Sequence, residues 1–448
     1  MTAAARPAPA LDAPDPALLC ATTVALHPAT WPARLGAAAD DGWLVAGRTR
    51  VLAGIGTAAT LPLPHGLCDP AALSAVRDWL AAVDHRGSGP DDPDAPKVMA
   101  VGAFPFDRTA PATLCVPSST WCRSRDGRVW RVDVSRRDGA RRGPHPDGRA
   151  RAARTSPDVT PGPPSLTEVP APEHYAAAVG RALADIASGR LAKVVLGRMV
   201  ELRLGAAAVP SQVLRALWGD DPAFAPFSLP TPTGRLVGAS PELVVGRSGA
   251  RVVSHAFAGT TALSGTDAAA DAAAARLADS GKDRTEHRLV VDEIARALGT
   301  RCGALIVPDA PSVVRLRSDA RLGTLIEGTL PRAAAGAGRG GTALELLALL
   351  HPTPAVGGVP RAIALERITA LEAAPRGYWA GTVGWTDAAG DGEWVLAIRS
   401  AVLGGSTAQV RAGAGIVDGS QPLAELAETT VKLRPVLEAL WPGSSALL

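Results

Sequence analysis

Asp283 and Glu286 lie three residues apart in the stretch Ser280-Gly-Lys-Asp-Arg-Thr-Glu-His287. On a helix that spacing puts both carboxylates on one face. The same face continues into Val290, Ile294 and Leu298, so the acids align with the buried side, where an unpaired charge is costly. Glu425, Glu428 and Lys432, at i, i+3 and i+7, repeat the pattern near the C-terminus. Two such pairs on separate helices could converge on one hard cation. An all-oxygen donor set favours Mg²⁺, which keeps several waters and takes its remaining ligands from substrate oxygens. Each pair alone also reads as a solvated face or a set of salt bridges.

Lys193 opens the apolar stretch KVVLGR, where burial would depress its pKa toward that of a useful base. Glu242 follows Ser-Pro and heads the apolar run LVV, where burial would raise its pKa toward that of a useful acid. The plainer alternative is a Lys–Glu ion pair at strand ends. Arg399 ends WVLAIRS and could grip a carboxylate with both arms of its guanidinium. The turn Ala412-Gly-Ala-Gly-Ile416 allows a backbone to approach an anion closely. Lysine is scarce: of 46 basic residues only Lys97, Lys193, Lys282 and Lys432 are lysines. Arg cannot deprotonate in a protein, so a surviving Lys is a pointer to chemistry.

These residues need elements to position them. The periodicity predicts helices at 70–83, 173–188, near 211–218, at about 280–299 and at about 422–441. Strands are expected at 98–107, 128–134 and 193–204, with a hairpin from Leu236 to Val253 turning at Arg247–Ala250. Thr382 to Val417 reads as a meander of three strands. Hairpins interleaved with long helices favour an α+β layered fold. Residues 1–16 form a Pro-broken tail, 17–134 an N-terminal part of the fold, 135–170 an Arg/Pro/Gly-rich loop, 171–441 the core and 442–448 a tail.

A net charge of +3 over 448 residues gives no reason to expect nucleic acid or a membrane surface as partner. No stretch approaches the ~20 apolar residues that span a bilayer. The five cysteines are scattered, with no CxxC pair, which fits a reducing cytoplasm rather than a disulfide framework or a zinc site. Gly336-Ala-Gly-Arg-Gly-Gly341 matches a dinucleotide fingerprint in letters only, because no buried strand directly precedes it.

Eight segments in order resemble the chorismate-binding enzymes, which comprise isochorismate, salicylate, anthranilate and aminodeoxychorismate synthases. They are AKVVLGR (192–198), GASPELVV (238–245), AGTT (258–261), SGKDRTEH (280–287), HPTPAVGG (351–358), GEWVLAIRSA (392–401), AGAGIV (412–417) and AELAETTVKL (424–433). GAFPFD (102–107) and the run at 113–119 are similar to the family's N-terminal half.

The resemblance implies two large facing sheets with helices outside and the site between them. It implies Mg²⁺ held chiefly by Glu286 and Glu428, with Asp283 and Glu425 in support, anchoring the ring carboxylate of chorismate. Arg399 and the backbone near Gly415 would hold the enolpyruvyl carboxylate, with Trp379 packed nearby and Lys432 adding charge. Gly259 and Thr260 would line the ring. Lys193 would activate water at C2 and Glu242 would protonate the departing C4 hydroxyl. A lysine base implies the water-using branch, and Ala258 stands where aminodeoxychorismate synthases carry a nucleophilic Lys. Ala355, where salicylate synthases tend to carry Thr, favours isochorismate as product over salicylate; a silent or glutaminase-dependent subunit is the remaining alternative. Arg321-Leu322 replaces the usual His-Leu. A monomer is the default expectation.

Overall fold

The computed structural model describes residues 11–86, 95–137, 164–219, 221, 223–263, 266–316, 319–331 and 341–447. Most of the Arg-rich loop and most of the Gly336–Gly341 motif lie outside these residues.

The strands form two sheets whose pairings are antiparallel, apart from a short parallel contact between Leu19–Leu26 and Asp84–His85. The larger, of thirteen strands, has Lys193–Arg203 and Thr407–Ile416 side by side, followed by Ser400–Gly404, Gly234–Ser240 and Ala225–Thr231. Trp43–Ala46 then continues it into the N-terminal strands. The smaller, of ten strands, places Asp319–Thr329, Arg251–Ala262, Leu243–Ser248, Gly392–Leu396 and Thr382–Asp387 in sequence, joined by Met99–Phe104. Strands from before and after the Arg-rich loop therefore share both sheets.

Two expectations are corrected here. The first arm of the hairpin expected from Leu236 to Val253 is two strands in different sheets, and only Leu243–Ser248 with Arg251–Ala262 makes the hairpin. The expected three-strand meander is four strands, with Thr382–Asp387 and Gly392–Leu396 in the smaller sheet and Ser400–Gly404 and Thr407–Ile416 in the larger. The chain thus crosses between sheets at Pro241–Glu242 and again at Ala397–Arg399. Each crossing is marked in the sequence only by a short polar break, Ser240-Pro241-Glu242 and Arg399-Ser400, which residue type alone does not tell from a turn within one sheet. Backbone bonds tie the crossings together: the Leu396 N–H donates to the Glu242 carbonyl at 3.0 Å, and the Ala239 N–H to the Arg399 carbonyl at 3.2 Å.

The main core joins the sheets, with Leu196, Phe227 and Leu236 from the larger and Val244, Val383 and Leu396 from the smaller. A second core lies between the larger sheet (Val200, Val237, Val410) and helices Pro32–Asp41, Pro210–Trp218 and Pro422–Leu440, through Ala38, Val213 and Leu433. Burying each Leu or Val contributes roughly 1.5–3 kcal/mol. Helix Gly281–Gly299 packs on Arg251–Ala262 and Asp319–Thr329, and Pro422–Leu440 packs on Thr407–Ile416. The two carboxylate-bearing helices therefore flank different sheets.

Candidate active site

Lys193–Arg203 shows why its alternate residues matter. Val194 and Leu196 enter the main core, while Lys193, Val195 and Gly197 take the opposite face. The register sets Val195 beside Gly415 and Gly197 beside Gly413. This makes a floor with little side-chain relief. A Cβ at Gly197 would come within 2.5 Å of the Trp379 ring, and one at Gly415 within 2.0 Å of Glu286 Oε1. Glycine is thus demanded by close approach at these two positions.

Above this floor lies a cavity. Glu242, Gly259, Thr260, Glu286, Ala355, Trp379, Arg399, Gly415 and Lys432, all expected from the sequence, line it. Val195, Phe257, Ile398, Arg321 and Arg411 line it too, and only Arg321 of these had drawn notice. Lys193, Asp283, Glu425 and Glu428 are not part of the lining. Gly259 sits at a bulge, with φ 73°, where the pairing of Arg251–Ala262 with Asp319–Thr329 shifts between Ala258 and Thr260.

The lysines and carboxylates pair among themselves. Lys193, fully buried, meets Glu286 Oε1 at 3.0 Å. The strand-end pair of Lys193 with Glu242 is therefore not formed. Lys432 donates to Glu428 at 2.6 Å and to the Gly413 carbonyl at 3.0 Å. Lys282 pairs with Glu425. Three of the four lysines of the sequence thus gather here, one more than the motifs pointed to. Although burial works against it, the charges of Lys193 and Lys432 hold the Glu286 carboxyl below its usual range. Burial, aided by repulsion from neighbouring carboxylates, pushes Asp283 and Glu425 up.

Glu242 behaves differently. Burial raises its carboxyl to about 7, against the opposing pull of Arg321, Lys193 and Lys432. Arg399 lies in the second crossing, beyond the strand it was expected to end, with φ 51°. A non-glycine residue in that region stores strain and marks an imposed geometry. Its Nη1 donates to the Lys432 carbonyl at 2.9 Å, and its Nη2 pairs with Asp319.

Trp379 is held from behind. The Arg376 guanidinium stacks 4.9 Å from its ring centroid. That guanidinium pairs with Glu372 and donates to the Val195 carbonyl at 2.8 Å and the Val356 carbonyl at 2.6 Å. Glu372 in turn accepts the Gly197 N–H at 2.7 Å. Asp319, Arg376 and Glu372 escaped the sequence reading. For Asp319 a signal existed: it stands two residues before Arg321, on the same face of a strand.

The match to the family described as "Chorismate binding enzyme" runs from residue 43 to 441, through strands of both sheets and both carboxylate-bearing helices. The chain belongs to this family. It is 36% identical over 349 residues to the isochorismate synthase DhbC of Bacillus subtilis (strain 168), covering 76% of this chain and 80% of that protein. It is 41% identical over 396 residues to MenF of Mycobacterium tuberculosis (strain H37Rv), covering 84% and 96%. The crystal structure of DhbC from Bacillus anthracis superposes with a TM-score of 0.72 at 31% identity, over 89% of this chain and 96% of that one. The α+β arrangement of two sheets expected from the resemblance is the fold observed. The cysteines among the described residues are free, and no helix there is long and apolar enough to cross a membrane.

Proposed function

We propose that this enzyme is an isochorismate synthase, interconverting chorismate and isochorismate with Mg²⁺ bound beside the substrate. The observation that carries the proposal is Glu242: a buried carboxyl on the cavity wall, raised to about 7, so that a large share of it carries a proton near neutral pH. The names of the relatives support the same activity. Water adds at C2, giving its proton to Lys193, while the ring double bonds shift. The C4 hydroxyl leaves as water with the proton from Glu242, and reversal exchanges the two roles. Lys193 must part from Glu286 and give up its own proton before its amine can accept that one.

The donor set suits a hard cation. All its members are carboxylates, and Glu425 Oε2 is buried without a hydrogen-bond partner among the described residues. Among these residues no three acidic or imidazole groups converge as a ready cage. Mg²⁺ needs only one or two carboxylates besides substrate and water, so Glu286 and Glu428 would suffice, with Asp283 and Glu425 in support. When bound, the ion supplies positive charge for the ring carboxylate. Arg399 would hold the enolpyruvyl carboxylate, with Trp379 and the Gly415 backbone closing the pocket.

Incubation of the protein with chorismate and Mg²⁺, without ammonia, tests this by chromatography. A mixture of chorismate and isochorismate, reached from either side, is expected. Salicylate with pyruvate would replace the proposal with salicylate synthase. Binding of chorismate without turnover would point to a silent or glutaminase-dependent subunit.

A further inference from the structure

We propose that Arg321 is a second carboxylate-binding residue of this cavity, sharing the enolpyruvyl carboxylate with Arg399, and that Asp319 is the positioning residue that sets the two guanidiniums side by side. The proposal rests on chorismate being the substrate.

Asp319 and Arg321 alternate on one strand and so share a face. Arg321 Nε donates to Asp319 Oδ1 at 3.3 Å and Nη2 to Oδ2 at 3.1 Å. Arg399 Nη2 reaches that same Oδ2. One buried carboxylate oxygen therefore aligns two planar forks. Both arginines line the cavity and Asp319 does not. Arg321 Nη1 and Arg399 Nε have no partner among the described residues, which leaves each fork an N–H to offer.

One negative charge faces two positive ones here, and uncompensated buried charge is costly. A bound carboxylate offsets that cost, and a bidentate or shared guanidinium contact is the geometry that suits it. Location supports the same choice of group. The register places Arg321 opposite Thr260, next to the Gly259 bulge. Arg321 is also the foremost of the charges acting on Glu242. The enolpyruvyl ether is on C3, adjacent to the C4 hydroxyl that Glu242 would protonate. A cation beside both Glu242 and Arg399 therefore stands along the C3–C4 edge. A histidine at this position would offer neither the permanent charge nor the fork.

The test compares chorismate with an analogue whose enolpyruvyl carboxylate is a neutral amide, using steady-state turnover and calorimetric binding to the full-length protein. Arg321→Gln is expected to raise KM for chorismate by about 10- to 100-fold, the range of a charge-assisted hydrogen bond, with a much smaller change in kcat. Affinity for the amide analogue should stay near that of the parent. Arg321→Lys, which keeps the charge but loses the fork, should fall between and guards against a variant that merely fails to fold. Asp319→Asn should show the same selective loss for chorismate. Equal losses for chorismate and the amide would reduce Arg321 to a structural counter-ion and overturn the proposal. A wild-type KM in Arg321→Gln, with chorismate still converted, would overturn it while leaving the activity intact. A parent protein that neither binds nor converts chorismate would overturn both.

Discussion

The two charged clusters that flank the cavity are built from different chemistry. In one, three lysines are interleaved with Asp283, Glu286, Glu425 and Glu428. In the other, two arginines share the single carboxylate of Asp319, which burial pushes up but the arginines bring down to about 2. Ion pairs in the lysine cluster can be exchanged for a cation or a proton. Pairs in the arginine cluster cannot give up their charge, because burial brings Arg399 down only to about 10, still a cation at neutral pH. One cluster is suited to change state during a reaction and the other to stay the same throughout it. Glu242 lies between them, acted on by both Arg321 and the lysines.

That contrast can be broken experimentally. The largest effect is expected at the groups that move protons: Lys193→Ala and Glu242→Gln should each lower kcat by on the order of 10² or more. Unchanged rates in both would mean that neither cluster does the chemistry. Removing divalent metal with a chelator should abolish turnover and Mg²⁺ should restore it, since the lysine cluster is where the cation would act. Full activity in the chelator would leave the carboxylates with a structural role only. Gly415→Ala should cost tenfold or more in kcat, on the order expected for a misplaced catalytic group, because its Cβ falls 2.0 Å from Glu286 Oε1.

The sharper test is pH. As the proposed acid Glu242 must be protonated for chorismate conversion, so kcat/KM should fall about tenfold per pH unit above about 7. The stability sign is opposite to that of a salt-bridged acid. Between its ordinary value of 4.5 and about 7, the folded state retains a proton that the unfolded chain has lost. Stability therefore declines as pH rises through that window, and Glu242→Gln should exceed the parent at pH 8 by up to about 3 kcal/mol in denaturant unfolding. No gain would mean that Glu242 ionises without penalty. The smallest effect is expected at Lys282→Ala, about 1 kcal/mol in thermal unfolding, from stranding Glu425.

Most of the cavity wall was legible in the sequence because its residues sit in dense local motifs. Helix Gly281–Gly299 could be read from its periodicity, and the structure adds Ser280 as its cap, accepting the Asp283 N–H at 3.3 Å. The crossings were not legible. Glu242 heads one apolar run and Arg399 follows another, and neither run differs in residue type according to which sheet its strand joins. The Arg376–Glu372 clamp was hidden because its partners, Val195 and Gly197, are distant in sequence and contribute backbone atoms, which carry no residue signature. Lys282 was visible as a rare residue, but its partner Glu425 depends on how two helices from opposite sheets meet.

The two crossings carry a mechanical consequence. Glu242 and Arg399 each occupy a point where the backbone passes from one sheet to the other, and those points are bonded to each other on both sides. The Cα positions of these two cavity residues are therefore tied to one another through the main chain. Moving the sheets apart at this point would break that pair of hydrogen bonds, so the backbones of Glu242 and Arg399 are held to move together. Rotamer changes or point substitutions in the surrounding wall can alter what the cavity presents, while the backbone seam beneath it stays the same.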